Sequence, residues 1–361
     1  MGKCLESAKK IGRTFQKPDR GFGVVLEGQI IRVLPVAMSV LPLVHRILRN
    51  CVLLTCTILG FFASRAVGGE SYLAVEAFTG KILLELDADR KRPVASLTKI
   101  ATAMVVLDWA KLSQTSMAEM AIVPQEALRL GGSNPMGLIP GDRISLREAM
   151  YSMLLGSDNV SALTVAEYAG RSIQSRSGGA SPQVAFVTEM NNLSRSLGMR
   201  RTRFVNPHGM DTVQAQGSST ARDMARLAIY AMRDPGFQFY VKQTERTIFS
   251  FRINEKRSFK VRNTHALVGK GEINGIKSGS TVLAGPCAAT SAEKKPIVNK
   301  LPTGATQLMG RRLIMITLGS PDRWGITQTL IDQGWGAYES WRQQGSPVQE
   351  ARELLSVPVP K

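Results

Sequence analysis

Three short polar motifs stand out in this 361-residue chain. The first is Ser96 with Lys99, at the start of "ASLTKIATAMVVLD". Residues at i and i+3 share a helix face, so the two side chains can meet. A serine hydroxyl is a poor nucleophile at neutral pH and needs a base. A lysine can be that base if burial or neighbouring positive charge lowers its pKa. A helix start also aims backbone N–H groups and a positive dipole end at such a site, where an oxyanion would be stabilised. The spacing alone is cheap, since Ser7…Lys10 and Ser291…Lys294 repeat it. Only Ser96 heads an apolar helix.

The second motif is Ser157-Asp158-Asn159, in a break between two helical patterns, and the third is Lys277-Ser278-Gly279, beside a strand-like segment. In this order the three resemble the signature set Ser-x-x-Lys, Ser-Asp-Asn and Lys-Thr-Gly, with serine in place of the threonine. With "LLGSDNVSALTVAEYAG", "MNNLSRSLGMRRTRFVNPHGMD", "STARDMARLA" and "GIKSGSTVLAGPC", the chain resembles the low-molecular-weight penicillin-binding D-alanyl-D-alanine carboxypeptidases over about residues 70–340. That resemblance implies a role for each motif residue. Ser96 is the acylated nucleophile, Lys99 its base, and Ser157 a bridge between Lys99 and Lys277 that relays a proton to the leaving amine. Asn159 binds the substrate amide. Lys277 supplies positive potential, followed by Ser278 and Gly279. The backbone N–H groups of Ser96 and Ser280 form the oxyanion hole. Arg262, fifteen residues before Lys277, is expected to read the terminal carboxylate of D-Ala, since a guanidinium fork matches a carboxylate.

Two residues depart from the family pattern. Ser278 stands where threonine is usual and keeps the hydroxyl. Asp158 stands where these carboxypeptidases often have glycine or alanine, which opens the question of β-lactam turnover. The Glu-x-x-Leu-Asn loop of class A β-lactamases is absent between Ser157 and Lys277; "EMNN" at Glu189 departs from it. The implied substrates are peptidoglycan stem peptides, with β-lactams as covalent inhibitors and no cofactor or metal. A D,D-endopeptidase, a β-lactamase and a non-turnover β-lactam sensor are the competing readings. His208 reads as a turn residue, His265 as exposed, and Cys287 as a packed strand residue.

These motifs must be held by elements the patterning suggests. "SYLAVEAF" and "KILLELDA" read as two strands around Thr79-Gly80. The helix from about Ser96 to Lys111 has no wide polar face and should be central. Residues 113–144 look loop-rich. Ser145 and Glu148 form a capping-box pattern ahead of "LREAMYSMLL". Helices follow as far as "STARDMARLAIYAMRD". Then "RTIFSFRI", "SFKVR", "GPCAATSA" and "RRLIMITLG" read as strands, with "AEKKPIVNKLPTGATQLMG" as a long hairpin loop, and "DRWGITQTLIDQGWGAYESWR" closes as a helix. This is an α+β chain with one mostly antiparallel sheet, and the first and last elements must meet for it to close. The resemblance makes it a β-lactamase/DD-peptidase-like fold, with flanking helices and an all-helical lobe.

Residues 1–66 read as an export region: Arg46 and Arg49, then 13 apolar residues from Cys51 to Ala63, then Ser64-Arg65-Ala66 as a cleavage site. The true start is expected at Met38. A catalytic domain then spans 67–342, and 343–361 is expected to be a flexible tail, too short for a further β-rich domain or an amphipathic anchor. Of Cys4, Cys51, Cys56 and Cys287, only the last survives cleavage, so the mature chain forms no internal disulfide. Net charge is +18, of which residues 67–361 carry +11. Such a surface favours anionic cell wall or membrane, held loosely. With neither zinc-ligand spacing nor an aromatic-interleaved basic run, nucleic acid is not expected. An exported protein of the periplasm or cell envelope is the expectation.

Overall fold

In this computed structural model the structure describes residues 23–26, 29–32, 69–212, 216–301 and 303–358. The chain divides into Met1–Ala66 and Val67–Lys361. In the first unit, β1 (Gly23–Leu26) and β2 (Gln29–Arg32) pair antiparallel. The expected export signal after Met38 lies outside the described residues.

The second unit starts with the hairpin β3 (Ser71–Glu76) and β4 (Ile82–Leu86). A 3₁₀ turn, Ala95–Leu97, leads into α1 (Thr98–Leu112). Next come β5 (Met120–Ile122), β6 (Arg143–Ser145), α2 (Leu146–Leu155), α3 (Asn159–Ser177), α4 (Pro182–Ser196), α5 (Ala221–Ala231) and α6 (Pro235–Val241). The strands β7 (Glu245–Arg252), β8 (Glu255–Arg262), β9 (Ile273–Thr281), β10 (Gly285–Lys300) and β11 (Thr306–Leu318) precede α7 (Arg323–Gln343).

The main sheet is antiparallel, in the order β4-β3-β11-β10-β9. First and last strands do meet, with Leu73 opposite Ile316. Side chains alternate across a strand, and both faces here are covered. Leu73, Val75, Ile314 and Ile316 join the main core, while Ala74, Leu313 and Met315 pack with Leu330, Ile331 and Trp335 of α7. That explains the unbroken apolar run at the end of β11. Helix α1 is buried almost all round, Lys99 included.

Three expectations need correction. The sheet is not single: β5, β6, β7 and β8 form a second one, because β7 turns back on β6 at Phe251 and Arg143 rather than joining β9. Its first two strands lie in the stretch read as loop. The supposed loop "AEKKPIVNKLPTGATQLMG" is mostly strand, paired from Ala292↔Leu313 out to Lys300↔Thr306. The segment after α7, expected to be mobile, lies against the β3–β4 hairpin. Leu355 N donates to Gly80 O at 2.7 Å, Glu353 pairs with Lys81, and the Leu355 side chain is only 2% exposed. Gly80 makes room for this. Its φ is +81°, and a Cβ there would lie 2.4 Å from Leu355 O.

Candidate active site

Ser96 sits in the 3₁₀ turn at the head of α1, where Ala95 adopts a positive φ of 48°. It opens into a cleft of about 510 Å³ lined also by Ser133, Ser157, Asn159, Thr264 and Ser278–Leu283. Strand β9 forms one wall. A Cβ on Gly279 would lie 2.7 Å from Ser96 N, so only glycine lets β9 pass this close to the nucleophile. Gly209 plays the same part on the other side, since its Cβ would meet Ala95 O at 2.0 Å.

Lys99 is buried one turn below. Its Nζ lies 2.9 Å from Ser96 Oγ, 2.7 Å from Asn159 Oδ1 and 2.6 Å from His208 O. Burial first, and the nearby Lys277 second, hold its pKa well below the ordinary lysine value. A neutral amine has two N–H bonds and one lone pair. The carbonyl of His208 and the amide oxygen of Asn159 can only accept, so they take the two protons. The lone pair is left facing the Ser96 hydroxyl, as a base requires. Asn159 is fixed in that orientation because its Nδ2 donates to Gly131 O at 2.9 Å. Asn159 thus orients Lys99 through its Oδ1, and the second N–H of its Nδ2 is left for a substrate in the cleft that it lines.

Ser157 lines the cleft at a positive φ of 60°, in the break between α2 and α3. Its expected bridge is not formed: among the described residues no hydrogen bond joins it to Lys99 or Lys277. Asp158 is turned away from the cleft. It caps α3, accepting from Val160 N at 2.9 Å and Ser161 N at 3.1 Å, and from the Ser152 and Ser161 hydroxyls at 2.7 and 2.8 Å. Burial raises its pKa against those hydrogen bonds.

Lys277 is buried on β9, donating to Ser278 O at 3.0 Å and reaching Thr264 Oγ1 at 3.4 Å. Burial, then the charge of Arg323, pull its pKa down to about 7. Ser278 Oγ donates to Thr264 Oγ1 at 3.0 Å, so the hydroxyl of this variant motif is in use. Ser280 and Gly279 line the cleft as expected.

Arg262 does not join them. It ends β8 with its side chain 80% exposed and its Nε 3.8 Å from Glu245. The alternation that puts Val261 inside points Arg262 out. The guanidinium that does line the cleft is Arg323, at the start of α7, which donates to Gly279 O at 2.8 Å. Sequence reasoning missed it and Thr264. The only signals were the Asp322 cap ahead of the last helix and the place of Thr264 in the same "VRNTHALV" as Arg262. His265, expected to be exposed, is buried. Its Nε2 lies 2.8 Å from Thr290 Oγ1, its ring packs edge-on to Trp324, and burial takes its pKa down to about 3. Cys287 is a buried strand residue, as expected.

Lys99 thus contacts Ser96, and the cleft is lined by Arg323 and, among the described residues, by one carboxyl, Asp211, raised in pKa by its burial. Such an arrangement can acylate a serine and attract an anionic substrate. The fold is that of the penicillin-binding DD-peptidases: penicillin-binding protein D2 of Listeria monocytogenes, solved in its ampicillin-bound form, is 25% identical, with a TM-score of 0.59 over 73% of this chain and 96% of that one. The family described as D-alanyl-D-alanine carboxypeptidase matches residues 62–301, and the chain belongs to it. The Escherichia coli D-alanyl-D-alanine carboxypeptidase DacC is 28% identical over 288 residues, 76% of this chain and 63% of that one. A Pseudomonas aeruginosa D-alanyl-D-alanine endopeptidase is 32% identical over 231 residues, 63% of this chain and 68% of that one. The chain therefore spans less than two thirds of the E. coli relative.

Proposed function

We propose that this protein is a serine-type D-Ala-D-Ala carboxypeptidase that trims the terminal D-Ala from peptidoglycan stem pentapeptides. The observation that carries the reading is the contact between Ser96 Oγ and a buried Lys99 whose two protons are already taken by Asn159 and His208. Lys99 Nζ accepts the Ser96 proton as Oγ attacks the carbonyl carbon of the penultimate D-Ala. The oxyanion forms beside β9, against the backbone N–H groups of Ser96 and Ser280. The C–N bond breaks, and the departing D-Ala amine takes a proton from Lys99, with Ser157 as relay. Water then attacks the ester while Lys99 removes its proton; the C–O bond to Ser96 breaks, and Lys99 returns that proton to Ser96 Oγ. Lys277 and Arg323 hold the substrate's terminal carboxylate.

β-Lactams mimic the acyl donor and acylate Ser96. The family membership and the ampicillin-bound relative support this. The basic stretch, the apolar run and the small residues before Val67 support export to the cell envelope. There, trimming would limit cross-linking and so affect wall maturation and cell shape, and the charge of +11 on residues 67–361 would favour loose association with an anionic surface.

The endopeptidase relative makes cleavage of D,D-cross-links the second reading. Incubation of the protein with pentapeptide muropeptides and with cross-linked dimers separates the two. Free D-Ala from the pentapeptide is expected. Monomers from dimers without free D-Ala would favour the endopeptidase, and no product from either would refute both.

A further inference from the structure

The outer half of the β10–β11 pair plays no part in the cleft. Strand β9 stays with β10 only to Ile273↔Ala292, and β3 stays with β11 only to Glu76↔Leu313. One backbone bond on each side carries the contact a residue further, from Glu293 N to Glu272 O and from Ala77 N to Arg312 O, and the Phe78 ring lies over Gly310; past these the two strands pair with each other as far as Lys300↔Thr306. This is a two-stranded ribbon, and among the described residues no further strand pairs with either of its outer edges. Its root is pinned. Arg312 bonds Glu293 at 2.8 Å and Met232 O at 2.6 Å, and Arg311 reaches Glu339 at 3.1 Å.

The rest of the ribbon is apolar and cationic. Val298 and Leu308 face each other across the pair, 59% and 66% exposed, and Leu301 and Met309 are exposed beside them. Lys295 and Lys300 are exposed as well. No carboxylate occurs between residues 294 and 321.

We propose that this ribbon docks on an anionic lipid bilayer, its aliphatic tip entering the headgroup region and its lysines pairing with lipid phosphates. Exposed aliphatic side chains next to lysines suit an interface that is apolar inside and anionic outside. A soluble polyanion would use the lysines and leave the four apolar side chains in water. A second copy of the chain fits poorly. Pro296, the register shift between Lys294 and Ile297, and the lysines all oppose edge-to-edge strand pairing, and two cationic ribbons repel.

The ribbon also sets a distance. Pro286, at the cleft end of β10, pairs with Ser280. At ~3.3 Å per residue, the stretch from there to Lys300 spans roughly 45 Å. A docked ribbon would hold the cleft that far from the bilayer, towards wall peptides rather than membrane-linked precursors. This last consequence rests on the carboxypeptidase reading; the docking itself does not.

The test is hydrogen exchange of the full chain, followed by mass spectrometry. The apolar run at 51–63 can hold the chain on a vesicle by itself, so the readout must be local to residues 295–309. With vesicles of phosphatidylcholine containing about one third phosphatidylglycerol, exchange in that segment is expected to slow about tenfold. It should not slow with phosphatidylcholine alone, and high salt should reverse it. The double variants Lys295→Glu/Lys300→Glu and Val298→Ser/Leu308→Ser should each lose the slowing while releasing D-Ala at the wild-type rate. Unchanged exchange on both vesicles would overturn the proposal. So would equal slowing by soluble polyphosphate, or slowing that grows with protein concentration without lipid. D-Ala release is scored on the same samples, so failure of the docking and failure of the reaction are read separately.

Discussion

Lys99 Nζ stands 2.9 Å from Ser96 Oγ, with Asn159 Oδ1 and His208 O within 2.7 Å of the same nitrogen. The proposed nucleophile and base are thus oriented before any substrate arrives. Replacing Lys99 by methionine, which keeps much of the volume, should lower the acylation rate by about 10²–10⁴. Asn159→Leu should also slow acylation, by about tenfold or more, because one of the two acceptors that direct the lone pair is gone. Stopped-flow acylation by a chromogenic cephalosporin measures both; equal rates for the Asn159 variant and the wild type would show that its amide does not orient the amine.

Gly279→Ala places a methyl 2.7 Å from Ser96 N, where neither backbone can yield without moving the nucleophile. Acylation should fall by more than about tenfold while the protein still unfolds cooperatively. Kinetics with a thermal melt separates loss of the site from loss of the fold.

The two arginines should behave differently. Arg262→Ala removes an exposed side chain and should leave KM within about twofold. Arg323→Ala removes a cation that lines the cleft and should raise KM for a pentapeptide several-fold. A larger effect at Arg262 would return the carboxylate to the place that the family resemblance implies.

The pH profile carries a sign. Lys277, with a pKa of about 7, is charged below that pH and neutral above it. Attraction for a terminal carboxylate should therefore fade as pH rises through about 7, giving a descending limb in kcat/KM. A substrate amidated at its C-terminus should lack that limb. Removing Arg323 removes the charge that helps depress Lys277, so the limb should move to higher pH. The same group makes stability rise with pH between about 7 and 10.5, since there the unfolded chain holds a proton that the folded one does not.

Asp158→Asn can keep the cap, because an amide oxygen accepts from Val160 N and Ser161 N and the serine hydroxyls can rotate to accept from its NH₂. It should cost about 1 kcal/mol or less, and Asp158→Ala about 2 kcal/mol or more. Neither should change deacylation of a penicilloyl enzyme beyond about twofold, as the carboxylate faces away from the cleft. Leu355→Ala should cost about 2–4 kcal/mol in urea unfolding, which no mobile tail residue would.

How far the sequence reached depends on what each signal encodes. Ser96, Lys99 and the break at Gly156–Asn159 lie at helix ends, where spacing and capping are local, and all were legible. So was the meeting of β3 and β11, because a sheet needs its apolar edges covered. Arg323 and Thr264 reach the cleft from α7 and from the turn between β8 and β9. Only tertiary packing brings such separate pieces together, and one sequence shows none of it. Arg262 misled because the family resemblance of "VRNTHALV" says nothing about which face of β8 a side chain takes. The β10–β11 ribbon read as a loop because lysine, proline and glycine interrupt its alternation, although the strands need only each other to pair.

The central claim is that Ser96 is acylated with neutral Lys99 as its base. Incubation of the protein with benzylpenicillin, followed by intact mass and peptide mapping, tests it most directly. One penicilloyl group per chain on Ser96 is predicted, absent in Ser96→Ala and formed about 10²–10⁴ times more slowly in Lys99→Met. An adduct on another residue, or one formed at the same rate without Lys99, would contradict it.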